Sequence, residues 1–188
     1  TMGLKGFKGG IHPPENKHFT RNLEFSHLTI PQTCFIPLQQ HIGKPAKPVV
    51  EAGAIVEEGQ LIAASDGLIS SNVHASVPGK VTAIVDHPTI YSPKGKCIVI
   101  EAEGSFSRFG AVTADPAWES LDKSELVKRV KQAGIVGLGG AAFPSSVKLT
   151  PPETKTIQML IINGAECEPY VTVDDMLMKT FPAEIIEG

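Results

Sequence analysis

Between residues 28 and 103 the apolar positions come in short runs rich in β-branched residues, broken every few positions by glycine or proline. The runs are 28–30, 35–38, 49–51, 60–63, 73–75, 80–85 and 97–101. None carries a useful helical period, so the pattern predicts short strands joined by tight turns. The spacing changes at Asp122. Leu126, Val127 and Val130 form one apolar stripe, Asp122 and Glu125 fit an N-cap and its capping-box acid, and Gly134 suits the position just past the helix end. The helix leads into a glycine cluster, Gly134, Gly137, Gly139 and Gly140, which runs into Phe143-Pro144. Pro144 suits the first residue of a short helix carrying Lys148. The apolar run 157–162 reads as a buried strand, and 174–180 and 183–187 read as helical pieces, with Asp174 and Asp175 fitting a helix start. Residues 1–26 are rich in glycine and proline and read as an extended arm. Residues 104–120 read as a linker in which Trp118, the only tryptophan, serves as an anchor.

Composition narrows the class. With 188 residues, 41% hydrophobic and 20% charged, the chain can bury a core as one or two domains. The net charge of -3 and the lack of a basic block argue against nucleic acid as a partner. No apolar run approaches the roughly 20 residues that span a bilayer. Cys34, Cys97 and Cys167 are widely spaced, with no CxxC pair, so neither a zinc site nor an iron–sulfur cage is encoded. A reduced, cytoplasmic setting fits them. Cys167 lies between two carboxylates, which disfavour its thiolate. His12 and His18 lack a third and fourth partner for a metal, and His74 reads as a structural residue of a strand.

The candidate chemistry lies between Gly134 and Tyr170. Amides freed by Gly137, Gly139 and Gly140, a helix N-terminus and Lys148 together make a phosphate site. Asn163, Glu166 and Glu168 follow the C-terminal end of the predicted strand, where open α/β sheets bind ligands. A glycine cluster by itself serves a turn as readily as a ligand.

The spacing G137-x-G-G-A-x-F-P-x-x-x-K148 followed by N163-x-x-E-x-E-P is more specific. It resembles the RnfC family of Rnf electron transport complexes and the flavin- and NADH-binding subunit of respiratory complex I. The opening GGIHPPENK, residues 9–17, resembles the RnfC family alone. VEAGAIVEEGQLIAASDGLISSNVHASVPGKVTAI resembles the biotinyl/lipoyl-type sandwich. Leu68 stands where that family carries its modified lysine. Leucine has no amine to acylate, so the fold carries over and the carrier function does not.

The resemblance implies an α+β, multidomain chain: a β-rich barrel-sandwich hybrid, then the start of an α/β Rossmann-like FMN/NADH-binding domain. Its segments are 1–34, an arm with the first strand; 35–103, the sandwich; 104–120, the linker; and 121–188, an incomplete nucleotide-binding domain. It assigns Gly137, Gly139, Gly140 and Lys148 to the FMN phosphate, Asn163 to hydroxyls or ring edges, Phe143 to nicotinamide stacking, and Glu166 and Glu168 to the ribose of NADH. The intact protein is then expected to pass electrons between NADH and FMN and on to [4Fe–4S] clusters in a C-terminal part absent from this chain. Its partners are the other subunits of a membrane ion-translocating complex, with ferredoxin reached indirectly, and its place is peripheral, on the cytoplasmic face of the bacterial inner membrane. Two alternatives stay open: a non-catalytic docking module for partner subunits, and a flavin-less relative of quinone-reductase type.

Overall fold

The β-branched runs form antiparallel strands. The computed structural model describes residues 12–26, 28–106, 117–152, 154 and 156–188; residues 1–11 of the predicted arm and 107–116 of the predicted linker lie outside them. The chain divides into two compact units, Thr29–Thr156 and a second made of Thr1–Leu28 with Ile157–Gly188.

In the first unit the strands are β1 (Thr33–Pro37), β2 (Lys47–Pro48), β3 (Ile55–Val56), β4 (Leu61–Ala64), β5 (Val73–His74), β6 (Gly79–His87) and β7 (Gly95–Ala102). They build a four-stranded sheet in the order β1-β7-β6-β3 and a three-stranded sheet in the order β2-β4-β5. Every pairing is antiparallel; Phe35 lies opposite Val99 and Val81 opposite Ile100. Strand β7 is flanked on both sides, and Cys97, Ile98, Val99 and Ile100 are all buried, which is why its sequence is a continuous apolar run. Ile98 and Ile100 join Ile36, Val56, Ile62, Val73 and Val81 in the core. Burial pushes the Cys34 and Cys97 thiols up, away from the reactive thiolate.

Three strand readings differ from the structure. Residues 49–51 form no strand: β2 ends at Pro48, opposite Ala63, and after one last bond from the Val49 amide to the Ile62 carbonyl the chain turns, the Ala54 amide reaching back to the Glu51 carbonyl. Residues 28–30 form no strand: β7 ends at Ala102, opposite the chain near Gln32, so among the described residues those further upstream have nothing to pair with. Strand β3 is additional to the predicted set, because two residues are too short to show a period.

Helix α1 (Lys123–Gln132) begins as its sequence requires. Asp122 Oδ1 accepts from the Glu125 amide at 2.9 Å. Glu125 pairs with Lys128 at 3.1 Å. The C-terminal turn ends at Gly134, whose φ of 70° is a left-handed conformation. Helix α2 (Ser145–Lys148) is a single turn, with Pro144 one place earlier than predicted, at the cap. Trp118 lies in a 3-10 turn, Trp118–Ser120.

In the second unit, helices α3 (Val173–Thr180) and α4 (Pro182–Glu187) follow an irregular loop. The arm packs on that loop. Lys17 Nζ donates to the carbonyls of Glu168 (3.2 Å) and Val171 (2.8 Å), and the Tyr170 amide donates to the Glu15 carbonyl at 2.8 Å. Thr20 Oγ1 donates to the Tyr170 carbonyl, and the Phe19 and Tyr170 rings stack with centroids 6.1 Å apart. Phe25 and Phe181 stack at 6.2 Å. The predicted buried strand at 157–162 is corrected: it is irregular and exposed, from 63% at Ile157 to 81% at Leu160. A buried strand needs a neighbour on each side, and among the described residues no strand pairs with this run.

Candidate functional site

The glycine loop is a short hairpin. The Gly137 amide donates to the Phe143 carbonyl at 2.8 Å and the Ser145 amide to the Ile135 carbonyl at 2.9 Å, with Val136 bridged to Pro144. Inside these ties the Ala142 amide turns back to the Gly139 carbonyl at 2.9 Å, with Ala142 at a φ of 43°. The amides of Leu138, Gly139, Gly140 and Ala141 donate to nothing among the described residues. A Cβ built on Gly139 or Gly140 would meet no atom within 4 Å, so a larger side chain there would project into the open space above the loop. A Cβ on Gly137 would come within 2.9 Å of Lys148 Nζ. That ammonium has no acid or carbonyl partner among the described residues. Four free amides beside an unpaired cation have the chemistry of an anion site. The helix N-terminus invoked from the sequence contributes little, since one turn carries little dipole.

Sandwich and hairpin share a cavity of about 460 Å³. Gly137, Gly139 and Gly140 line one side; His74, Asn72 and Tyr91 line the other. Asn72 Nδ2 donates to the Gln132 carbonyl at 2.9 Å, and the position of a Gly134 Cβ lies 2.4 Å from the Asn72 carbonyl oxygen. The glycine at 134 is therefore required by close approach as well as by φ.

The acidic loop lies in the second unit and is arranged differently. Asn163 Oδ1 accepts from the Ala165 amide at 3.0 Å, closing an Asx turn. Glu166 Oε1 accepts from the amides of Asp174 (2.9 Å) and Asp175 (3.1 Å), so this carboxylate caps helix α3 in place of the Thr172 side chain. Glu168 is exposed, and its carboxylate has no partner among the described residues.

The eight residues singled out from the sequence thus fall into two groups. Gly137, Gly139, Gly140 and Phe143 lie on one hairpin, with Lys148 of α2 reaching beside it. Asn163, Glu166 and Glu168 share one loop of the other unit. Sequence reasoning did not find Asn72 and Tyr91, which carry no motif. It did not find the part played by Lys17 either, although Lys17 closes the GGIHPPENK stretch.

Comparison with known proteins decides the family. Residues 5–105 match the RnfC barrel sandwich hybrid domain. The chain belongs to the RnfC family. Residues 130–188 match a second model, the Nuo51 FMN-binding domain, so this RnfC chain carries a barrel-sandwich hybrid followed by the start of an FMN-binding domain. Over 185 residues it is 43% identical to the C subunit of the proton-translocating ferredoxin:NAD(+) oxidoreductase complex of Clostridium ljungdahlii, covering 98% of this chain and 40% of that relative. The Na(+)-translocating counterpart of Acetobacterium woodii is 40% identical, with 97% and 41% covered. The C subunit of the ion-translocating oxidoreductase complex of Pseudomonas aeruginosa is 38% identical, with 98% and 24% covered. The chain therefore spans well under half the length of these relatives. No helix among the described residues is long and apolar enough to cross a membrane.

Proposed function

We propose that this chain is the front part of the NADH-oxidising subunit of an ion-translocating ferredoxin:NAD oxidoreductase, and that its glycine loop holds the phosphate of FMN. The observation that carries the reading is the run of amides from Leu138 to Ala141, which have no partner among the described residues, beside Lys148, which has none there either. The amides donate to a phosphate where a Cβ would intrude, and Lys148 balances its charge. FMN, when bound, supplies the exchange between two-electron and one-electron chemistry. Phe143 offers a ring for nicotinamide, Asn163 a donor and acceptor, and Glu168 an unpaired carboxylate for ribose hydroxyls. Glu166 keeps one oxygen on the α3 amides, and its nucleotide role is confined to the other. In the whole protein, [4Fe–4S] clusters carried elsewhere take the electrons onward to partner subunits. The protein sits peripherally on the cytoplasmic side of the bacterial inner membrane. The exposed run 157–162 also suits the docking-module alternative, in which a partner protein of the complex covers it.

The test is FMN binding by the full-length protein, read as fluorescence quenching on titration. Gly139→Val and Gly140→Val are expected to abolish binding. Lys148→Ala should weaken it by about 1.5–3 kcal/mol, the range for a hydrogen bond to a charged group, and by less at high salt. Unchanged affinity in all three variants overturns the cradle.

A further inference from the structure

The cavity over the glycine loop has a wall that belongs to the sandwich, and the residues on that wall do not all serve the fold. Alternation along β5 determines which do. Val73 and Ala75 are buried in the core, so His74 between them stands on the opposite face and lines the cavity.

His41 lines the same cavity and provides the contrast. It is 1% exposed, and both ring nitrogens are engaged: Nε2 accepts from the Ser71 amide at 3.1 Å, and Nδ1 lies 3.0 Å from the Ile42 carbonyl. An Nε2 that accepts leaves the proton on Nδ1, which donates to that carbonyl. His41 is a satisfied structural imidazole. His74 is half-buried, and neither of its nitrogens meets a partner among the described residues. Burial pushes its pKa down, which keeps the ring neutral, with one donor and one acceptor. The phenol of Tyr91, also on this wall, has no partner among the described residues either, and the residue is 39% exposed.

We propose that His74 is a ligand-contacting residue: from the sandwich wall it hydrogen-bonds an uncharged polar edge, a hydroxyl or a ring carbonyl, of the phosphorylated ligand whose phosphate lies on the glycine loop, and Tyr91 closes the same side. The inference rests on the FMN reading above and adds the sandwich to that site. A neutral imidazole is a poor countercharge for phosphate, which the loop amides and Lys148 already serve. It is a good partner for a group that both donates and accepts. The sandwich, with Leu68 where a carrier lysine would stand, then has a place in the site that needs no covalent group.

The experiment is FMN titration of the flavin-depleted full-length protein by fluorescence quenching, with thermal denaturation of the same samples. The variants are His74→Leu, His74→Asn and Gly139→Val. His74→Leu is expected to weaken FMN roughly 2–10-fold, the worth of one neutral hydrogen bond, with no fall in Tm, because the imidazole holds nothing in the fold. His74→Asn keeps a donor and an acceptor and should recover part of the loss. If His74→Leu binds as wild type while Gly139→Val does not bind, the His74 proposal fails and the FMN cradle stands. If Gly139→Val also binds as wild type, the cradle itself fails and takes the proposal with it. A fall in Tm that tracks the loss of FMN in both His74 variants shows a structural role and overturns the proposal.

Discussion

The glycine loop and the acidic loop carry the two halves of one sequence pattern, yet the structure treats their polar groups in opposite ways. In the glycine loop the ties lie at the edges, at Gly137–Phe143 and Ile135–Ser145, and the amides between them are left open. In the acidic loop the polar groups are engaged within the unit itself. Asn163 closes a turn, Glu166 caps α3, and the carbonyls of Glu168 and Val171 hold Lys17. Only the Glu168 carboxylate remains open among the described acids of that loop. Motif residues therefore divide into those whose polar groups the loop itself uses and those whose polar groups it leaves open. The open polar groups of the structure separate the two kinds.

The largest expected effect is at the edge of the glycine loop. Gly134→Ala forces a Cβ to 2.4 Å from a backbone carbonyl, at a φ of 70°. The backbone strain alone costs about 1–3 kcal/mol, and the contact adds to it. A drop in Tm of several degrees is expected, with loss of the cavity wall. An unchanged Tm would mean that hairpin and sandwich are not tied at Asn72.

Next comes the arm. Lys17→Met removes a charged donor from two carbonyls, worth about 1.5–3 kcal/mol. Amide hydrogen exchange should rise across 166–172, and NADH affinity should fall while FMN affinity is unchanged. Equal loss of both ligands would show that the two loops are not independent.

The paired glutamates sharpen the contrast at smaller cost. Glu166→Ala removes the acceptor from two amides at the α3 terminus, a capping loss of roughly 0.5–2 kcal/mol. Glu168→Gln should leave stability and FMN alone and impair NADH oxidation. The reverse outcome, a stable Glu166→Ala that loses NADH beside a silent Glu168→Gln, would exchange their roles.

The smallest effect is a pH dependence at Asp122. The Ser124 hydroxyl, then the Glu125 amide, hold its carboxyl below the ordinary value of 3.8. A depressed folded-state pKa contributes stability that is fully present above the unfolded value and is lost as pH falls through the folded one. Tm should therefore decline slightly more steeply below about pH 4 in wild type than in Asp122→Asn, which keeps a cap without the titration.

Much of this was legible along the chain. The sandwich strands, the Asp122 cap and the Gly134 terminus depend on neighbours a few residues away, and local periodicity and capping chemistry record such relations. The glycine loop was legible for the same reason: its amides are opened by the residues at 137–140 themselves. The run 157–162 was misread because apolar composition permits a buried strand but cannot supply one with neighbours. Glu166 was only half read, because its partners, Asp174 and Asp175, stand eight and nine residues on.

The sequence by itself determined the family, the sandwich without a carrier lysine, and the glycine loop with Lys148. Only the tertiary structure decided that Lys17 grips carbonyls 151 and 154 residues away. It alone decided that His74 and Tyr91 face the glycine loop, and that His41 is satisfied where His74 is not. The physical reason is common to these cases. Whether a polar side chain serves the fold or a ligand depends on which partners the folded chain brings within 3 Å or so, and distant partners leave no periodic trace in the order of residues.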